Sequence, residues 1–274
     1  MTDLLVERRA TTLSLTLDRP GKVNALSAPL VDALLDAVNA AYGDGTRLLV
    51  LRGNGKNFSA GFDMGGHEEQ SEGDLLLRFV RIEQLLQAVR HAPFDTLVLA
   101  HGKNFGAGVD LICACARRVA SADATFRMPG LKFGLVLGSR LFAERVGSER
   151  ARQALQVSQT FGAAEAGDWG FLTQVAGQDR WPHAIEVAEA AAAALPPESA
   201  ARLFRVTTED HRDADLAELV RSASVPGLKA RIAQYLVTPA AAGASLVTPA
   251  AAGASLVTPA AAPAAMGRGP ISRE

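Results

Sequence analysis

Leu13, Leu15 and Leu17 alternate with Ser14 and Thr16 between Thr12 and Leu17, the period-two pattern of a half-buried strand. Arg19-Pro20-Gly21-Lys22 breaks this run. Ser27 then offers a side-chain cap for a helix that carries Leu30, Leu34 and Val38 on one face and ends at Gly43-Asp44-Gly45. Leu48 to Leu51 is apolar throughout, as in a strand covered on both faces, and Gly53-Asn54-Gly55 closes it. Over residues 74–90, Leu75, Phe79, Ile82, Leu86 and Val89 recur in steps of four and three, predicting a helix that stops before Pro93. Thr96 to Ala100 reads as another buried strand. It runs into Gly102, Gly106 and Gly108 and then into a helix through Leu111 to Ala116. Strands alternating with helices argue for an α/β domain. Beyond Ser139 the spacing predicts helices over 139–146, 148–158, 182–195 and 209–222, a helical C-terminal region packed on the core or on a neighbouring subunit.

The last segment has another character. Leu-Val-Thr-Pro-Ala-Ala-Ala-Gly-Ala-Ser begins at Leu236, recurs at Leu246 and starts again at Leu256. Each copy supplies only Leu and Val for a core, too little to offset the ordering of the chain, so a flexible extension is expected. The expected organisation is therefore a core over 1–195, a C-terminal helical region over 196–235 and a low-complexity tail over 236–274.

Composition narrows the function classes. The 274 residues are 48% hydrophobic and 21% charged, with a net charge of −1, which lacks the basic footprint of a nucleic-acid binder. No uncharged apolar run before the Ala-rich tail is long enough to span a membrane, and the first residues lack the order of a secretory signal. Cys113 and Cys115 are read as small buried thiols of a reducing compartment, and a cytoplasmic location is expected.

Two glycine-containing segments could carry chemistry. Gly55-Lys56-Asn57-Phe58-Ser59-Ala60-Gly61-Phe62-Asp63 follows an apolar strand. Gly102-Lys103-Asn104-Phe105-Gly106-Ala107-Gly108-Val109-Asp110 links a strand to a helix, whose free N–H groups suit a developing oxyanion. Neither fits a P-loop or a dinucleotide fingerprint. His67 and His101 lie near these segments and are read as structural or solvated. They are not at metal-ligand spacing, and no metal site is expected. Arg117-Arg118 and Glu68-Glu69 are read as solvated charge.

Taken in order, Arg19-Pro20-Gly21-Lys22-Val23-Asn24-Ala25-Leu26-Ser27, Phe58-Ser59-Ala60-Gly61-Phe62-Asp63 and Gly106-Ala107-Gly108-Val109-Asp110-Leu111 resemble the crotonase (enoyl-CoA hydratase/isomerase) superfamily. Arg118 to Phe126 and Gly170 to Val175 add to the likeness, which extends over roughly residues 3 to 235. The resemblance implies a crotonase-like spiral of repeated ββα units with a helical C-terminal region, in homotrimers or hexamers. It implies an acyl-CoA thioester as ligand, with coenzyme A entering as part of the substrate and no permanently bound cofactor. By position, the N–H groups of Phe62 and Ala107 would form the oxyanion hole. Lys22 would lie near the coenzyme A phosphates, with Val23, Ala25 and Ala60 beside the adenine or pantetheine. Asp63 stands next to that site and is read as a carboxylate that stabilises a turn.

The departures bear on the reaction. Of the two glutamates that hydratases of this superfamily use, the first matches Asp110 and the second matches Gly130. Water addition needs one group to activate water and another to handle the α-proton. The implied activity is acyl-CoA processing of the hydratase/isomerase type with Asp110 as the single acid/base. The alternatives are a non-catalytic thioester-binding protein, or a hydrolase or decarboxylase.

Overall fold

The computed structural model describes residues 3–238. The tail expected over 236–274 therefore lies outside the described residues, except for its first three.

The chain opens with an antiparallel hairpin, β1 (Leu4–Arg9) and β2 (Thr12–Leu17), joined in register from Leu4 opposite Leu17 to Arg9 opposite Thr12. Helix α1 (Ala28–Ala41) follows, with the Ser27 hydroxyl accepting from the Leu30 N–H, the cap that its position predicts. Strand β3 (Leu48–Gly53) precedes α2 (Glu72–Arg90), which begins in a reciprocal Ser71–Asp74 capping box. Then come β4 (Asp95–Ala100), the short β5 (Lys103–Phe105) and α3 (Ala107–Ala114). They are followed by β6 (Arg117–Ala120), β7 (Thr125–Arg127), α4 (Ser139–Val146) and α5 (Ser148–Val157). The remainder is β8 (Thr160–Gly162), α6 (Ala163–Asp168), β9 (Gln174–Val175), α7 (Trp181–Ala193), α8 (Pro197–Thr207), α9 (Arg212–Ala223) and α10 (Leu228–Val237).

Six strands form one sheet in the order β1-β2-β3-β4-β6-β9, parallel apart from the hairpin. The other three, β5-β7-β8, form a second small sheet. After β4 the chain repeatedly lays one strand in the large sheet and the next in the small one before entering a helix, which is the expected spiral of ββα units. Alternate residues of the parallel strands enter different cores because side chains point to opposite faces. Leu13, Leu15, Leu49, Leu51 and Val98 join the main core with α1, α2 and α3, whereas Leu48, Val50, Leu97, Leu99 and Val119 pack under α7 around Ala188.

Helix α3 is held at its C-terminal end by two guanidinium groups. Arg145 donates to the Cys113 carbonyl at 3.0 and 2.9 Å and to that of Cys115 at 3.2 Å, while Arg118 donates to Cys115 at 3.0 Å and Ala116 at 2.7 Å. These carbonyls have no helical partner of their own, and cations suit the negative end of a helix. Arg118 is 5% exposed and also donates to Phe171 and Gly170, so it is a buried brace and not solvated charge as expected. Cys113 and Cys115 are buried free thiols. Among the described residues no helix is long and apolar enough to cross a membrane.

Candidate active site

The loop over 19–27 and the loop over 57–63 are joined by main-chain hydrogen bonds. The Ala60 N–H donates to Val23 O, Leu26 N–H to Gly61 O, and Asp63 N–H to Leu26 O. Asn24 is the buried knot beneath them. Its side-chain amide donates to Asn54 O at 2.8 Å and Asn57 O at 3.0 Å, and its Oδ1 accepts from the Arg19 N–H at 2.8 Å. Val23 and Asn24 both adopt left-handed backbone (φ 54° and 51°), which turns the chain sharply enough to bring the loops together.

The second loop then meets the N-terminus of α3. Gly61 has φ +76°, and a Cβ added there would lie 2.2 Å from the Phe105 carbonyl oxygen and 2.9 Å from the Ala107 nitrogen. Only glycine permits so close an approach in that conformation. Next to these contacts lies a cavity of about 330 Å³, bordered by Ala60, Phe62, Ala107 and Asp110 and by Gly130, with Tyr235 and Leu236 of α10 at its edge. Among the described residues the N–H groups of Phe62 and Ala107 donate to no protein acceptor. Phe62 is fixed by stacking on Phe79 of α2, with ring centroids 4.2 Å apart, and by the Arg78 guanidinium 4.1 Å from its ring centre.

Asp110 sits in the first turn of α3 and is 2% exposed. Its Oδ1 is buried without a hydrogen-bond partner. Burial, followed by the nearby Glu83 charge, pushes its carboxyl well above the usual carboxylate range. Gly138 (φ +61°) packs against it so closely that an added Cβ would lie 2.1 Å from Oδ1. Among the described residues bordering this cavity Asp110 is the one acid. Arg127, also at its border, is engaged with Ser158 O at 3.1 Å.

The other sequence-predicted residues sit at the approach. Lys22 and Val23 are exposed, Ala25 is buried with its carbonyl accepting from Arg19 at 2.6 Å, and Ala60 is half-buried between Val23 and the cavity. Asp63 accepts from the Gly65 N–H and from Arg19, both at 2.9 Å. Burial pushes its carboxyl up, but the Gly65 N–H and the Arg19 and Arg78 charges outweigh this and hold it below the usual range. It thus stabilises a turn, as its type and position suggest. His67 and His101 are buried, bonded to Met64 O and Gly55 O at 2.9 Å, and neither borders the cavity.

Sequence reasoning missed Asn24, Arg78 and Glu83. An Asn beside a Pro-Gly turn signals left-handed backbone, and Glu83 interrupts an otherwise apolar helix face, a signal that was available.

The comparisons agree with this architecture. Residues 7–221 match the family model for enoyl-CoA hydratase/isomerase. A crystal structure from Bordetella parapertussis, assigned to enoyl-CoA hydratase/isomerase, is 55% identical with a TM-score of 0.86, covering 87% of this chain and 100% of that one. A protein of Mycobacterium tuberculosis assigned as the enoyl-CoA hydratase echA6 is 32% identical over 166 residues, 60% of this chain and 66% of its own length. A 4-chlorobenzoyl coenzyme A dehalogenase of an Arthrobacter species is 30% identical over 181 residues, 62% of this chain and 64% of its own length. The match thus spans about two thirds of the Mycobacterium tuberculosis and Arthrobacter relatives. The chain belongs to the enoyl-CoA hydratase/isomerase family.

Proposed function

We propose that the protein processes acyl-coenzyme A thioesters through an enolate, with the Phe62 and Ala107 N–H groups receiving the thioester oxygen and Asp110 moving the α-proton. The carrying observation is the closure at Gly61. Two loops distant in sequence meet there, and among the described residues two N–H groups without protein acceptors border one cavity with a single acid. When the α C–H bond breaks, its electron pair moves toward the carbonyl and charge builds on oxygen, where fixed N–H donors stabilise it. The proton passes to the Asp110 carboxylate and returns from the carboxylic acid to the same carbon, or to another in a double-bond shift. Lys22, Val23 and Ala25, in the loop beside Ala60, supply the coenzyme A approach in this reading. Because burial and the Glu83 charge raise the Asp110 carboxyl, its base form is gained only as pH rises, and α-proton removal is expected to quicken in the same direction.

The test is exchange of α-protons in acyl- and enoyl-CoA panels in deuterated buffer, followed by mass spectrometry. Exchange that disappears in Asp110→Asn supports the reading. No exchange with any thioester, or equal exchange in the variant, overturns it. One observation favours a second reading, a thioester-binding protein without turnover: Gly130 borders the cavity where a second acid would be expected. Calorimetric binding without exchange distinguishes it.

A further inference from the structure

A second cavity, of about 650 Å³, lies among α2, α4, α5 and α9, and it shares Leu131, Leu137, Ser139 and Leu155 with the acyl cavity. Glu83 borders it. This residue lies one helical turn beyond Phe79, which borders the acyl cavity, and the two share the buried face of α2 that packs on α3. Glu83 is 4% exposed, and its Oε1 accepts from Gln87 at 2.8 Å. Among the described residues no cation pairs with it.

Most of the other charges around this cavity are paired. Arg90 of α2 pairs with Glu144 of α4 at 2.7 Å, and Arg140 of α4 with Asp215 of α9 at 2.6 Å. At the opening, Arg212 pairs with Asp210 at 2.6 Å and His211 with Glu209 at 3.0 Å, and Arg152 of α5 and Glu218 of α9 are exposed. His91, at the end of α2, is held toward its neutral form by burial and by Arg212. From α3, the Asp110 carboxyl and the Cys113 thiol, both pushed up by burial, complete the surroundings. Among the described residues the packed helices α2 and α3 thus bury two carboxyl groups, Asp110 bordering the acyl cavity and Glu83 the second one.

We propose that Glu83 is a positioning residue for Asp110: its carboxyl, reached from the second cavity, governs how tightly Asp110 holds its proton. The inference rests on the role given to Asp110 above. Burial, eased by Gln87 and reinforced by Asp215, pushes the Glu83 carboxyl up to about 7, so its charge appears near neutral pH and opposes ionisation of Asp110. With Glu83 neutral, Asp110 gives up its proton more readily and is more often in its base form. With Glu83 ionised, Asp110 is the stronger holder of the proton that returns to the enolate carbon. In that return the Asp110 O–H bond breaks, its electron pair stays on Asp110, and the enolate pair forms the C–H bond.

The experiment is the pH profile of α-proton exchange in the full chain, wild type against Glu83→Gln, Glu83→Asp and Asp110→Asn. Glu83→Gln keeps an acceptor for Gln87 and removes the charge. Its rising limb is expected to move to lower pH by roughly one unit, making exchange on that limb about tenfold faster at a given pH. Glu83→Asp retains the charge and the wild-type limb. An unmoved limb in Glu83→Gln overturns the role of Glu83, whereas unchanged exchange in Asp110→Asn overturns the underlying reading. If Glu83→Gln does not fold, the carboxyl 13C titration of wild type decides. Two coupled steps in which both residues respond support the pair, and independent single steps refute it.

Discussion

Replacing Gly61 with alanine tests whether the two loops truly converge. The left-handed conformation there (φ +76°) costs a residue with a side chain about 1–2 kcal/mol. The new methyl would lie 2.2 Å from the Phe105 oxygen and 2.9 Å from the Ala107 nitrogen, both main-chain atoms that cannot rotate aside. Overpacking of that kind adds about 1–3 kcal/mol. A total near 2–5 kcal/mol corresponds to a fall in Tm of roughly 4–20 °C for a domain of this size. Gly43→Ala is the control, because nothing lies within 4 Å of a Cβ there and no positive φ is required; it should stay within about 0.5 kcal/mol of wild type. Thermal unfolding by circular dichroism reads both. Below the transition, α-proton exchange by Gly61→Ala should fall about 100-fold, since a shift near 1 Å misplaces the donors. Unfolding within roughly 2 °C of wild type, or unimpaired exchange, would refute the convergence.

Ala107→Pro removes one donor at the first position of α3, where proline fits a helix; exchange should slow by about 100- to 1000-fold with the far-ultraviolet spectrum retained. Asn24→Ala strips a buried knot of its hydrogen bonds and leaves alanine at φ 51°, so chemical denaturation should show a loss of roughly 2–5 kcal/mol. Glu83 binds its proton more tightly when folded. The native state therefore carries more protons than the unfolded chain between the ordinary 4.5 and about 7, and wild-type stability should fall across that window as pH rises. At about 1.4 kcal/mol per unit the Glu83 share of the loss approaches roughly 3 kcal/mol, and urea titrations of Glu83→Gln should show a shallower slope than wild type.

The elements legible in the sequence are those whose pattern is local. Thr12 to Leu17 alternates because one edge of that strand meets the hairpin while its side chains sort between two faces, and the observed bounds agree. Residues 74–90 fall within α2 because an apolar stripe, broken at Glu83, faces α1 and α3. The strands of the small sheet, β5, β7 and β8, are three residues each and have no period to detect. Strand β1 escaped because only Leu4 of its six residues is buried. Helix α8 was missed although Ala200, Leu203 and Phe204 recur at helical spacing, and it buries no residue. At the site, the glycine segments and Asp110 stood out by residue type and order. The environment that raises the Asp110 carboxyl did not, because the packing of Gly138 and the charge of Glu83 reach it from segments distant in sequence.

The brace on α3 has one more consequence. A helix of eight residues is a short rigid rod, and Arg118 and Arg145 grip it at the end remote from the cavity. Loosening that grip would let the rod swing about its middle and re-aim the amide at its tip, although no altered atom comes near a ligand. Damage at such a pivot would surface as a protein that still melts cooperatively yet turns over poorly, a signature that a search confined to cavity-lining positions would overlook.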